Sequence, residues 1–315
     1  MTPFRLAGRR VWVAGGNGMV GAAVIRRLAR EDVEILNPAR GSLDLTRQDA
    51  VDAWVAHNRP DVVIVAAARV GGIAANAARP VDFLSDNLLI ATNVIGAAAS
   101  VGVAKLLFLG SSCIYPKFAA QPIAESALLT GPLEPTNQWY AVAKIAGLKL
   151  AEAYREQHGL DFISAMPTNL YGPGDNYDLE SSHVIPALLR KAIAARDAGE
   201  PTMTVWGSGT PRREFLHVDD LADALVFVLQ HYSAAEHINI GSGTDVTIAE
   251  LAATVARAVG FTGGLTFDTS RPDGTPRKLM DSAKLAALGW QPSIGLEAGL
   301  ADAYRDLAHG MRVRA

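Results

Sequence analysis

The sequence predicts an α/β fold, a Rossmann-type doubly wound parallel sheet with a smaller mixed α/β C-terminal substrate lobe. Three observations predict it. Short β-branched apolar runs alternate with helical stretches through the first half of the chain. A glycine-rich turn joins the first run to the first helix, and the alternation breaks after Pro167.

The strands come first. Runs from Val11 to Ala14, Val33 to Leu36, Val62 to Ala66, Leu106 to Leu109 and Phe162 to Ala165 have the length and composition of strands. The first four are almost continuously apolar, as strands are when helices cover both faces of a sheet. Between them, Met19 to Arg30, Arg47 to His57, Val81 to Ser100 and Trp139 to Gln157 read as helices. A turn-rich stretch from Tyr171 to Asn176 then precedes a helix from His183 to Arg196 and a strand from Met203 to Trp206. Phe215 to Val218 leads into a helix from Asp219 to Leu229 with an acidic first turn, followed by a strand from Ile238 to Ile240 and a helix from Thr247 to Val259. The expected division is a nucleotide-binding domain over 1–170, completed by segments near 215–245, with 171–315 mainly a substrate lobe.

Composition narrows the class. The 315 residues are 49% hydrophobic, enough for a full-sized core. Charged residues are 19% and the net charge is -3, so no basic excess suggests nucleic acid as a partner. The longest apolar runs are too short to span a bilayer, and the N-terminal apolar run enters a glycine turn instead of a cleavage site. Cys113 is the single cysteine, which excludes an intrachain disulfide. A cytoplasmic protein without membrane, metal or nucleic-acid partners is expected.

The segment Gly15-Gly16-Asn17-Gly18-Met19-Val20-Gly21 follows the first strand and opens the first helix. Gly15 permits a tight turn, Gly18 lets a pyrophosphate approach backbone N–H groups, and Gly21 allows close helix–sheet packing. Glycine trios alone are common, but this one sits in a strand–turn–helix context that binds dinucleotides. At the end of the second strand, an NAD enzyme usually places a carboxylate for the ribose 2′-hydroxyl. Here Asn37 stands instead, and Arg40 follows closely enough to meet a 2′-phosphate. NADP(H) is the expected cofactor, chiefly because the acid is missing, with a solvated loop cation as the bland reading of Arg40.

Tyr140 and Lys144 have the YxxxK spacing, which puts both on one helix face about 6 Å apart along the axis. The lysine is expected to lower the phenol pKa and to hold the nicotinamide ribose, and the tyrosine to exchange a proton with a carbonyl oxygen during hydride transfer. A half-buried tyrosine beside a surface lysine is the alternative. Ser111 bears on the choice: it follows the strand ending at Leu109, at the sheet edge where ligands bind, and can hydrogen-bond the reacting oxygen. A capping serine is the bland reading of that residue.

The motifs GMVG (18–21), VGGI (70–73), LGSSCIYPK (109–117), LEPTN (133–137), YAVAKIAG (140–147) and MPTNLYGP (166–173) run through the first part of the chain. SHVIPALLRK (182–191), VWGSGTPRREFLHVDD (205–220) and PDGTPRKLMD (272–281) follow. In these motifs, over nearly its whole length, the chain resembles the GDP-L-fucose synthase family of extended short-chain dehydrogenases.

The resemblance implies a bifunctional enzyme that inverts C3 and C5 of GDP-4-keto-6-deoxy-D-mannose and then reduces C4 with NADPH. A C4 ketone acidifies the protons on both neighbouring carbons, so one enolate-stabilising site can serve both inversions. By resemblance, Cys113 and His183 are the base and acid, with a small buried hydrophobe and a helix-start residue as their structural alternatives. The resemblance also assigns Leu109, Gly110, Ser111, Ser112, Pro167, Thr168, Asn169, Leu170, Lys144 and His183 to the cofactor. It assigns Lys191, Trp206, Arg213 and Asp281 to the GDP-sugar. One departure concerns the cofactor: the family often has a basic residue where Asn17 stands, which narrows the expected preference for NADPH. The family dimer implies a homodimer through a four-helix bundle, here from Asn87 to Ser100 and Tyr140 to Gln157, with Ala97, Ala98, Ala99, Ala143 and Ala146 allowing close approach. The rival functions are action on a related GDP-keto-sugar, such as a heptose or dideoxyhexose, and non-catalytic NADP sensing on the same fold.

Overall fold

The computed structural model describes residues 3–39, 41–178, 182–271 and 273–314. The first half alternates as expected: β1 (Arg9–Ala14), α1 (Met19–Leu28), β2 (Val33–Leu36), α2 (Gln48–Asn58) and β3 (Val62–Val65). A short helix α3 (Ile73–Ala78) and the long α4 (Pro80–Ser100) lead to β4 (Lys105–Leu109). Next come α5 (Gln138–His158), β5 (Phe162–Pro167) and β6 (Asn169–Tyr171). The second half runs α6 (Val184–Asp197), β7 (Thr202–Trp206), β8 (Arg212–His217), α7 (Val218–His231) and β9 (Ile238–Ile240). It closes with β10 (Asp245–Thr247), α8 (Ile248–Val259), β11 (Gly264–Asp268), β12 (Arg277–Lys278), α9 (Ala283–Leu288) and α10 (Leu296–Arg314).

Six strands form one parallel sheet in the order β2-β1-β3-β4-β5-β9. The strand period of two divides its core: Val11 and Val13 pack on one face with Val24 and Leu225, while Trp12 and Ala14 pack on the other with Val55 and Ile95. Both faces are dry, which is why these strands read as continuous apolar runs. Ile238–Ile240 takes the sixth place in the sheet, and Leu285 and Trp290 join its core from near the C-terminus.

The second lobe is organised by β8. It pairs in parallel with β6 and β12 and antiparallel with β10. Its own core gathers α6, α8 and α10 around Leu189, Val255 and Leu300. Glu214 of β8 is fully buried, and its carboxylate accepts hydrogen bonds from the backbone N–H of Gly243 (2.8 Å) and of Met280 (3.0 Å). That carboxylate locks the segment carrying β12 against the ends of β5 and β9. A cleft lies between the lobes at the carboxyl ends of β4 and β5. Among the described residues no helix is long and apolar enough to cross a membrane.

Candidate active site

The dinucleotide turn is built around close backbone approaches. Gly15 has φ +92°, and a Cβ there would stand 2.6 Å from the Ala67 nitrogen, so both conformation and space demand glycine. A Cβ on Gly21 would stand 2.1 Å from the Gly15 oxygen. Its close packing is therefore against the turn itself, not against the sheet as expected. Gly18 is the N-cap of α1 and offers no side-chain cap, which leaves the first-turn amides of Met19 and Val20 for an anion. A hollow beside the turn is lined by Gly16, Asn17, Asn37, Pro38, Ala39 and Leu43, with no carboxylate among its lining residues. The Asn17 amide donates to the Pro38 oxygen at 3.2 Å, which pins the two sides of that hollow. Without a carboxylate, this lining has nothing that would repel a 2′-phosphate. Arg40, the expected phosphate reader, lies outside the described residues.

The catalytic group gathers where β4 ends. Gly110 leaves room for the buried Met166 side chain of the neighbouring strand, whose sulfur would stand 2.1 Å from an added Cβ. Ser111 follows, and its oxygen accepts the Cys113 backbone N–H at 3.3 Å. Buried Ser112 opens the short turn that carries Cys113. Helix α5 lies against this corner. Gly147 lets it approach, since a Cβ there would meet the Phe108 ring at 2.4 Å. Tyr140 and Lys144 thus reach the end of β4.

The electrostatics differ from the expectation in one respect. Desolvation raises the Tyr140 phenol well above its ordinary pKa, the nearby Cys113 adds to this, and the hydroxyl of Ser111 opposes both by donating to the phenol oxygen. Lys144 makes no hydrogen bond to the phenol among the described residues. The ammonium is buried, donates to the Leu109 carbonyl at 2.8 Å, and stands 5.8 Å from the centre of the Tyr140 ring. Desolvation brings its own pKa down to about 7. The consequence suits a reductase, because a phenol that holds its proton is ready to donate it.

Cys113 is half-buried, and two donors converge on its sulfur: the Asn137 side-chain nitrogen at 3.1 Å and the Lys278 ammonium at 3.6 Å. Asn137 is the N-cap residue of α5, yet its side chain does not cap the helix. Across the cleft, His183 is the N-cap residue of α6. The residue is exposed to solvent, yet the packing around its ring desolvates it in part. That desolvation, with the Lys278 charge nearby, lowers its pKa.

The remaining predicted residues divide. Lys191 of α6 stacks its ammonium 4.4 Å from the centre of the exposed Trp206 ring, and Arg271 lies 4.8 Å from the same centre. Arg213 of β8 is desolvated, which lowers its pKa against the opposing pull of Asp273 and Glu134. These form one cationic and aromatic wall. Asp281 has a contact of its own: its carboxylate accepts the Ala283 N–H at 2.9 Å in the turn into α9. Of the two acids near Arg213, Asp273 accepts the backbone N–H of Ser208 at 2.7 Å and its hydroxyl at 2.8 Å. Pro167 ends β5, and Leu170 packs on the same apolar cluster as Met19 and Val20. Thr168 and Asn169 turn their side chains to the Glu214 carbonyl, at 3.3 and 2.8 Å, and so bind the two lobes together.

Sequence reasoning missed Asn137, Asp273, Arg271 and Lys278. Asn137 and Lys278 lie inside the LEPTN and PDGTPRK segments, but only folding brings these segments beside Cys113.

Comparison with known proteins agrees with this architecture. Residues 11–241 match the NAD dependent epimerase/dehydratase family. A GDP-L-fucose synthase from Sinorhizobium fredii is 60% identical over 304 residues, covering 96% of this chain and 97% of its own. Among solved structures, a GDP-6-OMe-4-keto-L-xylo-heptose reductase from C. jejuni superposes with a TM-score of 0.92 at 34% identity, covering 98% of this chain and 99% of its own. A GDP-L-fucose synthetase from Naegleria fowleri bound to NADP gives 0.91 at 30% identity, covering 99% and 98%. The chain belongs to the NAD dependent epimerase/dehydratase family, within the group that includes the GDP-L-fucose synthases.

Proposed function

We propose that this protein is an NADPH-dependent GDP-L-fucose synthase. It converts GDP-4-keto-6-deoxy-D-mannose to GDP-L-fucose by epimerising C3 and C5 and then reducing C4. The observation that carries this reading is the convergence of Cys113, Ser111 and Tyr140 at the end of β4, with His183 facing them from the other lobe. A simple reductase needs only the serine, tyrosine and lysine. The added thiol and imidazole supply what inversion requires, a base on one face of the sugar and an acid on the other.

In this mechanism the wall of Lys191, Trp206, Arg213 and Asp273 holds the GDP portion, with Arg213 meeting the diphosphate. The Cys113 sulfur takes a proton from a carbon beside the ketone. The electron pair moves to the C4 oxygen, where Ser111 and Tyr140 donate to it. His183 returns a proton to the opposite face. Its lowered pKa leaves it mostly neutral in the free protein, so it gains its proton when the diphosphate charge arrives. Bound NADPH supplies the hydride that C4 receives. Tyr140, held protonated by its desolvation, then protonates the C4 oxygen.

The partner in solution is a second copy of the chain, in the cytoplasm. Helices α4 and α5 pack on each other and present Val81, Leu89, Trp139 and Val142 to solvent, which supports a helical dimer face. The alanines expected at that face are not all available. Ala97, Ala98 and Ala143 are buried in this chain's own core, because the sheet side of each helix takes the small residues.

Turnover of NADPH with a panel of GDP-keto-sugars tests the reading. GDP-4-keto-6-deoxy-D-mannose is expected to give a product inverted at C3 and C5 by NMR. A preference for a heptose, the substrate type of the C. jejuni relative, would replace it.

A further inference from the structure

We infer that Lys278 is a positioning residue for the epimerisation, holding the Cys113 sulfur as a thiolate and aiming it into the cleft. The inference deepens the proposed function and rests on Cys113 being the base.

Three observations carry it. First, the Lys278 ammonium donates to the Cys113 sulfur from 3.6 Å, and the side-chain amide of Asn137, at the start of α5, donates to the same atom from 3.1 Å. The sulfur is therefore held between two lobes by two donors, one of them charged. Second, Lys278 has no ion pair among the described residues, whereas its neighbours in the cleft are neutralised. Lys117 pairs with Glu134 at 3.0 Å, and Arg277 with Asp245 at 2.5 Å. An ammonium beside a half-buried sulfur and without a carboxylate has the sulfur as its available anion. Third, the position is rigid. Lys278 lies in β12, in register with Arg213 of β8, and two residues on, the Met280 N–H is fixed by the buried Glu214 carboxylate.

The groups facing Cys113 are Asn137 and Tyr140 from α5, Lys278 from β12, and the Lys117–Glu134 pair with Arg277 around the same cavity. His183 faces Lys278 from α6. Among the described residues, only Lys278 brings an unpaired positive charge to the sulfur. The proton balance follows: the C–H bond beside the ketone breaks, an S–H bond forms, and the electron pair passes to the C4 oxygen. With the substrate's diphosphate bound, the protein begins as thiolate and imidazolium and ends as thiol and imidazole, and it resets by losing a proton from sulfur to solvent and gaining one at His183. The Lys278 charge favours the start of each cycle at sulfur and eases proton release from His183.

The test uses the single cysteine of the chain, so that alkylation by iodoacetamide reports on Cys113 alone. In Lys278→Gln and Lys278→Met, alkylation at pH 7 is expected to slow about tenfold, the equivalent of about 1.4 kcal/mol. The rates should converge with wild type above about pH 10, where an ordinary thiol is ionised without help. Lys278→Arg should restore most of the rate. Deuterium exchange into C3 and C5 of the substrate should fall in parallel, with NADPH affinity unchanged. Alkylation profiles that overlie wild type in both neutral variants overturn the inference. A slowed alkylation with wild-type exchange overturns the catalytic role of Lys278. Wild-type exchange in Cys113→Ser separately sinks the reading of Cys113 as base. Circular dichroism and NADPH binding show which variants are folded, and Lys278→Arg provides a folded reference.

Discussion

Substituting Gly21 by alanine tests the nucleotide turn and separates packing from binding. The added Cβ would stand 2.1 Å from the Gly15 oxygen, 2.6 Å from the Gly15 carbonyl carbon and 2.6 Å from the Gly16 Cα. All three are backbone atoms, so no rotamer change relieves the clash. Reaching an ordinary 3.4 Å contact means separating α1 from its turn by about 1.3 Å, the difference between 3.4 and 2.1. Overpacking of this kind costs about 1–3 kcal/mol, and alanine returns about 1 kcal/mol in helix propensity, leaving a net loss of up to about 2 kcal/mol. The cofactor suffers more. The displaced turn and first-turn amides lose at least one charge-assisted hydrogen bond to phosphate, about 1.5–3 kcal/mol, which is roughly ten- to a hundredfold in Kd. Gly18→Ala is the control. Its Cβ would meet nothing nearer than 3.5 Å, so the apo protein should keep its stability. Its NADPH affinity should still fall, because the methyl stands where a pyrophosphate approaches the helix end. Fluorescence titration with NADPH and denaturant unfolding of both variants give the answer. Wild-type stability with NADPH binding within twofold of wild type in Gly21→Ala would refute the packing account.

Tyr140→Phe should reduce NADPH oxidation by about 10²- to 10⁴-fold while deuterium still enters C3 and C5 in D₂O; reduction that survives nearly intact removes Tyr140 from the role of proton donor. Cys113→Ser should abolish that exchange without changing NADPH affinity, and normal exchange with lowered thermal stability would return Cys113 to a packing role. Arg40→Ala should raise KM for NADPH about tenfold more than for NADH, and equal effects would mean that Arg40 does not read the 2′-phosphate. Lys144 has its folded pKa depressed to about 7 from 10.5, so the unfolded chain binds more protons between those values and stability rises with pH across that window. The penalty is complete below pH 7, so Lys144→Met should stabilise the apo protein more at pH 6 than at pH 10 in urea unfolding; a pH-independent difference contradicts the desolvation of Lys144.

The sequence by itself determined the doubly wound sheet, the glycine turn and the pairing of Ser111 with Tyr140 and Lys144. These are written in local periodicities: continuous apolar strands because both sheet faces are covered, and a tyrosine and lysine four apart because a helix repeats at that spacing. The short strands Asn169–Tyr171, Asp245–Thr247 and Arg277–Lys278 left no such signal, since two or three residues cannot show a period and they exist only by pairing with β8. Tertiary structure alone decided the electrostatics. The YxxxK spacing implied a phenol acidified by its lysine, yet the lysine is turned to the Leu109 carbonyl and both groups are desolvated, so the phenol keeps its proton. It also decided which residues share a site. Asp273 stands near Arg213, while Asp281 also holds the turn that precedes α9. Lys278 reaches Cys113 across 165 residues because Glu214 holds one strand of the second lobe against the first. Charge interactions act through space between groups far apart in the chain, so a sequence read along its length shows the groups and leaves their partners to the fold.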